Sequence, residues 1–367
     1  MNIDNNDYNQ ATAGIYNPKG IIAVPIIKHH PILIVLILTA TLSLAACQAG
    51  ELTPAPSPTA APLQPTSTPT PIPLGNPGNP ILIGYVYSDP DADIQAAIEA
   101  LAEELDIRTG NSFGAVVYPT YEQLLSEMEA GRIHAAWLQP ITFLYASAQG
   151  IARAALLANH FGTYYYGTQF LANVENGFTV YFDPTSNAST TDAATALQQF
   201  DGLRPCWAEE GSISGLIYPS GLLNQLNINQ LPGAVVQSHT AVIRSLYIKG
   251  ICDFGATFSY TGDPRTSSAV VSDLPDVDQR VVIIWQSNPD IPNMNFSTIP
   301  TLDPTLRSNL IGALTNLVKT DDGKALLTQA TGNYDIQDLR VIDDSVYDAL
   351  REVVRRSGID LTEWLGR

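Results

Sequence analysis

The sequence predicts an α/β fold of two lobes with a cleft between them, and three observations predict it. Strand and helix signals alternate once over residues 81–150 and again from Leu203 to Trp285. Tyr164–Val174, rich in aromatic and β-branched residues, and Asn295–Ile299 read as strands that leave one lobe and return to it. Alternation of this kind gives sheets of parallel type with helices on both faces. Two such lobes joined by crossing strands put a ligand in the crevice at the carboxyl ends of the strands.

In order, Ile81–Gly84 is the first strand. Asp89-Pro90 supplies an N-cap and a first-turn proline for a helix whose Ala97, Ile98, Leu101 and Leu105 recur at helical spacing. Ala115–Val117 is the next strand. Thr120-Tyr121-Glu122-Gln123 is a capping box opening a helix that carries Leu124, Leu125 and Met128 and stops at Gly131. Ala135–Leu138 follows as a strand, and Pro140 opens a helix reaching Gly150. In the second lobe the strand Leu203–Trp207 runs into a small-residue loop, Glu210–Gly215, that opens a helix. The strand Ala234–Gln237 leads to Ser238-His239 at another helix start, and Ile251–Gly255 and Val281–Trp285 are further strands. Closing helices are expected behind Asp303-Pro304, over about 323–331, and over Ser345–Arg356. The lobes are expected at 81–172 and 173–293, with 294–367 returning to the first lobe and ending in helices.

The N-terminal region has a different composition. Lys28-His29-His30 precedes an apolar run from Pro31 to Ala46, too short to span a bilayer comfortably, which ends in Leu44-Ala45-Ala46-Cys47. This reads as an export signal over 1–46 with a bacterial lipobox, so that Cys47 is lipidated and the domain is held outside the cytoplasm, anchored to the membrane. An uncleaved anchor helix is the alternative, and the long stretch before Lys28 leaves the start codon open. Residues 51–80 hold ten prolines, five threonines and no aromatic residue. With Cys47 they form an expected tether over 47–80, extended and semi-rigid. Export favours oxidation of Cys206 and Cys252, which leaves a disulfide or two buried thiols.

Lysine and arginine total 18 against 36 aspartates and glutamates, a formal charge of −18. That balance excludes nucleic acid and anionic lipid surfaces as partners. It does not exclude a small anion, because helix N-termini offer unpaired N–H groups and partial positive charge without a basic side chain. The loops at Ser212–Gly215 and Ser238-His239 place serine hydroxyls, such N–H groups and one histidine at strand-to-helix junctions. The same serines could be plain helix caps. Gly211-Ser212-Ile213-Ser214-Gly215 puts Ile213 where a hydrolase elbow needs its serine, which argues against serine-hydrolase chemistry. His134, His160 and His239 are far apart and no zinc or P-loop spacing occurs, so no metal or cofactor is expected. Tyr164-Tyr165-Tyr166 cannot converge on one ion, since consecutive strand residues face opposite ways, although Tyr166 could face the cleft. Asp253 is either a solvated strand-end acid or a contact for a cationic part of the ligand.

Over about 81–335 the chain resembles the phosphate/phosphonate-type substrate-binding proteins of ABC transporters. The resemblance rests on the order Ile83-Gly84, Thr120-Tyr121-Glu122, Ala136-Trp137-Leu138 with Pro140, Asp201-Gly202, Ser212 with Ser214-Gly215, His239, and Gly250 with Asp253. It implies a two-lobed, hinge-closing periplasmic binding protein-like fold of type II, and no enzymatic activity. Ser212, Ser214, the Gly215 N–H and His239 would hold the oxygens of a phosphonate, phosphate, phosphite or similar oxyanion, and Tyr121 would close from the other lobe. The implied partners are a small anionic solute and the permease and ATPase subunits of a transporter, with the protein itself monomeric. Ile213 stands where the family has threonine, Phe143 where it has tyrosine, and His134 where it has aspartate. Each bond to a charged group missing from such a site weakens it by roughly 1.5–3 kcal/mol. A sensor module for a signalling protein and an enzyme on the same fold are the alternatives.

Overall fold

The computed structural model describes residues 71–364. The predicted signal, Cys47 and the first part of the tether lie outside the described residues. The tether's last residues do not: Gly75 N–H donates to Asn79 O at 2.8 Å, Asn79 Nδ2 donates to Ile72 O at 2.8 Å, and Leu74 packs against the core. The fold therefore starts near Ile72, before the expected limit at residue 80, because Leu74 has an apolar surface to cover.

The first block runs β1 (Ile81–Val86), α1 (Ala92–Thr109), β2 (Phe113–Tyr118), α2 (Tyr121–Glu129), β3 (Ala135–Leu138), α3 (Pro140–Ala148) and β4 (Arg153–Asn159). The cap of α1 is Asp91, whose side chain accepts from Ile94 N–H, rather than the expected Asp89. Thr120 caps α2 by accepting from Gln123 N–H, and Pro140 is the first residue of α3. β5 (Tyr165–Asn173) then enters the second block. That block continues with the hairpin β6 (Phe182–Asp183) and β7 (Ala188–Ser189), α4 (Ala193–Leu197), β8 (Pro205–Trp207), α5 (Tyr218–Gln225), β9 (Ala234–Val235), α6 (His239–Ile248) and β10 (Phe254–Ser259). It ends with α7 (Ser268–Val271), α8 (Val277–Arg280), β11 (Val281–Gln286) and β12 (Ile291–Pro292). The chain returns through β13 (Asn295–Thr298), α9 (Pro304–Leu317), α10 (Asp321–Ala330), β14 (Asp338–Val341) and α11 (Asp348–Ser357).

The sheets share one plan. The first is ordered β2-β1-β3-β13-β4 with β14 at its edge, the second β9-β8-β10-β5-β11. In each, the neighbouring strands at one end are parallel and the fourth place is taken by a crossing strand that runs antiparallel, β13 in the first and β5 in the second. β5 pairs β10 and β11 over Gly167–Asn173, after Tyr165 and Tyr166 pair β12, so the expected boundary at 172/173 falls at the end of that strand rather than before it. β10 begins at Phe254, three residues after the expected Ile251, because Lys249 and Gly250 turn with φ of 67° and 83°. β4 and β14 are absent from the sequence reading: β4 holds no β-branched residue and β14 is short and largely exposed.

On the first sheet Ile98, Leu101 and Leu105 of α1 are fully buried with Leu310 and Leu314 of α9. Each such side chain contributes about 1.5–3 kcal/mol relative to exposure. The second sheet is filled on one face by Phe170, Phe200 and Phe254, the last two stacked at 4.2 Å. Its other face carries Leu171, Val242 and Leu246. There Cys206 and Cys252 are joined in a disulfide with Cα atoms 5.5 Å apart, which settles the choice between a bond and two thiols. A further apolar cluster runs across both lobes and includes Leu138 and Phe143 from the first, Ile213, Ile217 and Tyr218 from the second, and Tyr347, Leu350 and Val353 from the C-terminal segment. Asp344 fastens that segment to the first lobe, accepting from Ala154 N–H at 2.8 Å and from Ser147 Oγ at 3.1 Å. α11 then lies against α5 of the second lobe.

Candidate functional site

The parallel strands β8, β9 and β10 all end on the same side of their sheet, and each feeds a turn that carries polar groups. After β8, Ser212 N–H donates to Glu209 O at 3.0 Å, closing a turn that delivers Ser212 as the N-cap of a wide helical turn, Ile213–Ile217, continuous with α5. After β9, Gln237 takes a φ of 71° and Ser238 caps α6 by accepting from Ala241 N–H at 3.1 Å. The two turns meet. Ser212 Oγ and His239 Nε2 lie 3.2 Å apart, and Phe258 from β10 stands edge-on to the imidazole at 4.9 Å.

Glycine at 215 is demanded by this meeting. A Cβ there would lie 2.5 Å from Ala208 Cβ, 2.8 Å from Ser212 Oγ and 2.9 Å from His239 Cε1. Gly215 N–H donates to Ser212 Oγ at 3.0 Å, so it is spent within the loop rather than offered to a ligand, contrary to expectation. The N–H groups of Ile213 and Ser214, and of His239 and Thr240, are first-turn donors with no acceptor inside their helices. Ser214 is 4% exposed, and its carbonyl accepts from Thr168 Oγ1 on β5 at 2.6 Å. Thr168 is a contributor the sequence reading missed. Only its alternation with Phe170 along the strand signals that it faces this turn.

The imidazole is poorly solvated. His239 Nδ1 is buried without a hydrogen-bond partner, as is Ser259 Oγ at the end of β10. Burial alone pushes the imidazole down from 6.5 to about 4, so it is neutral at pH 7. Among the described residues no lysine or arginine is bonded to Ser212, Ser214 or His239. Serine beside histidine resembles half of a hydrolytic triad, yet no carboxylate orients Nδ1, and Ser212 Oγ already accepts from Gly215. The pair is built for holding rather than for attack. Among the described residues no group of three or more His, Cys, Asp or Glu is placed to hold a metal ion.

The remaining candidates are dispersed. Ile213 is 8% exposed and belongs to the apolar cluster that joins the lobes, so the residue that replaces a hydroxyl donor acts in packing. Phe143 is fully buried, 4.4 Å from the Tyr347 ring, and reaches no ligand; burial by Tyr347 is the reason. Asp253 is also set aside. It sits at the amino end of β10, the end away from Ser212 and His239, where its carboxylate accepts from Arg204 N–H at 2.9 Å. Tyr166 pairs with Ile291 where β5 leaves the first lobe, beside Tyr347. Tyr121 opens α2 after β2 on the first lobe, near Tyr87, and burial pushes its phenol up to about 12. Two open grooves, of about 380 Å³ between Arg108 and Asn309 and about 530 Å³ beside Arg153 and Arg307, contain none of these residues.

Two sheets of one plan that exchange strands make a two-lobed α/β fold of the type II periplasmic binding protein-like kind. The chain belongs to the family described as ABC transporter, phosphonate, periplasmic substrate-binding protein, which matches residues 83–347. The family so described is one of transport binding proteins. Among curated proteins it is similar to the phosphate-import protein PhnD of Mycolicibacterium smegmatis, 24% identical over 146 residues, which is 40% of this chain and 42% of that protein. The aligned part therefore spans less than half the length of that relative. Among solved structures it is similar to XAC2383 of Xanthomonas citri. The chloride-bound form has a TM-score of 0.55 at 16% identity, covering 76% of this chain and 96% of the other. The ATP-bound form has a TM-score of 0.54 at 14% identity, covering 78% and 98%.

Proposed function

We propose that this protein captures a small oxyanion of the phosphate, phosphonate or phosphite type and delivers it to a permease with its own ATPase subunits. The observation that carries this reading is the 3.2 Å contact between Ser212 Oγ and His239 Nε2, which draws two helix starts together at adjoining strand ends. Donors of that kind suit an anion and leave the choice of counter-charge to the backbone dipoles. Ser212, Ser214 and His239, with the N–H groups of Ile213 and Ser214, are the proposed ligand-binding set; Tyr121 and Tyr166 are the first-lobe and crossing-strand residues proposed to close over it. The M. smegmatis relative named for phosphate import supports the ligand class. The apolar run ending in Leu44-Ala45-Ala46-Cys47 supports an extracytoplasmic protein anchored by lipid at Cys47, working as a monomer on a proline-rich tether.

Titration with phosphate, methylphosphonate and phosphite tests the reading, following fluorescence of Trp137 and Trp207 and the melting temperature. A saturable change with a rise in Tm is expected for at least one of them, as a ligand at a hundredfold its Kd stabilises by about 2.7 kcal/mol. A flat response to all three, in a folded sample, would overturn it.

A further inference from the structure

Within the proposed ligand-binding set His239 is the one side chain able to change charge, and its surroundings leave that charge unassigned; burial also pushes the nearby Glu209 carboxyl up. The His239 ring is held by Ser212 Oγ at Nε2, backed by Phe258, and crowded at Cε1 by Gly215, while Nδ1 is buried with no partner. Charged groups occur on or beside the elements packed against α6, but none is committed to the ring. Arg265, after β10, is paired with its neighbour Asp263, and Arg244 of α6 itself is paired with Asp273. Glu209 and Glu210 precede Ser212 on the loop, and Tyr247 of α6 donates to Asp276. β5 adds only Tyr165 and Tyr166, while β8, β11 and α7 add no free ionisable side chain, Cys206 being in the disulfide. Burial is the one influence that sets the ring's proton affinity.

We propose that anion capture at this site is coupled to proton uptake: His239 is neutral before the oxyanion arrives and becomes an imidazolium, drawing the proton from the buffer, once the anion lies beside Ser212. The inference rests on the oxyanion reading above. Its physical basis is that an unpaired imidazolium in a buried place is disfavoured, whereas one in contact with an anion is favoured. The bound anion supplies what no residue supplies. Neither Ser212 nor a helix start can titrate, so within the ligand-binding set it is the histidine that converts a neutral cradle into a cationic one, and the H239Q comparison separates its share from that of the neighbouring Glu209.

Calorimetric titration of inorganic phosphate and of methylphosphonate, in two buffers of different protonation enthalpy, measures the protons taken up per anion bound. Wild type is expected to take up more than H239Q, with the difference approaching one proton. The ratio of wild-type to H239Q affinity is expected to rise by up to about a hundredfold between about pH 7 and about pH 5, which removes the ligand's own titration from the comparison. Equal uptake by the two proteins overturns the inference. Where H239Q does not bind, nitrogen chemical shifts of His239 in the wild type decide the matter: imidazolium at saturation supports the coupling, and neutral imidazole at saturation overturns it. Wild type that binds neither anion defeats the oxyanion reading and the coupling together, whereas binding without protonation defeats the coupling alone.

Discussion

The backbone of Gly221 in α5 rests on the carbonyl of Val353 in α11: a Cβ at 221 would lie 2.2 Å from Val353 O and 3.0 Å from Val353 Cγ1. The helix that begins at the serine loop is therefore seated on α11 of the C-terminal segment. Gly221→Ala is expected to lower stability. Overpacking of about 1–3 kcal/mol outweighs the roughly 1 kcal/mol that alanine gains over glycine in a helix. Denaturant unfolding checks the sign: an unchanged or higher midpoint would show that the two helices can part without penalty.

Thr168 tests how the proposed binding turn is held. Its hydroxyl donates to Ser214 O at 2.6 Å inside the protein, so Thr168→Val leaves that carbonyl without its side-chain donor. A buried group left unpaired in this way costs about 1–3 kcal/mol. Thr168→Val is expected to lower Tm and also to weaken binding of whichever oxyanion wild type takes. Thr168→Ser, which keeps the hydroxyl, should restore affinity even if it does not fully restore Tm.

Burial holds His239 below its unfolded value of 6.5, at about 4. The unfolded chain thus takes up the proton first as pH falls, and protonation favours unfolding. The contribution of His239 to stability is complete above pH 6.5 and is lost progressively on going down to about pH 4. His160 and His134 are lowered by burial as well and act in the same direction. In H239Q the slope of unfolding free energy against pH across that window should be shallower than in wild type; identical slopes would contradict a buried neutral imidazole.

The disulfide between Cys206 and Cys252 closes a loop with a sequence separation of 46. Chain-entropy reasoning gives it roughly 2–4 kcal/mol of stability. It ties β8 to the entry of β10, the two strands whose far ends carry Ser212 and Phe258. Reduction, or the double replacement of both cysteines by alanine, should lower the free energy of unfolding by that amount, measured with and without reductant in the same denaturant series.

Much of this molecule is legible from local signals. Thr120, Asp303 and Ser238 mark helix starts, and the Ser212–Gly215 and Ser238-His239 junctions locate the two turns that meet at the proposed site, because a cap is decided by a few neighbouring residues. What stays hidden depends on partners far along the chain. Phe143 reads as a cleft residue until Tyr347, on a segment about 200 residues later, covers it. Thr168 is an ordinary strand residue until the turn at Ser214 arrives against it. Asp253 is misplaced by a small error with a large effect: a strand begun at Ile251 rather than Phe254 carries the acid into the strand, when it lies just outside the opposite end. β4 is a run of alanine and leucine that suits a helix equally well, and only pairing with β13 and β14 makes it a strand.

The seating of α5 on α11 has a consequence for biogenesis. Synthesis proceeds from the amino end, so the ribosome releases the serine-bearing helix long before the segment that supports its underside exists. Until Leu350 and Val353 are made, the apolar flank formed by Ile217 and Tyr218 has no cover from that side. Seating of the serine-bearing helix is thus deferred until the residues past Asp348 have been made, and a product shortened ahead of Asp348 would carry every proposed ligand contact yet lack the surface on which the helix stands.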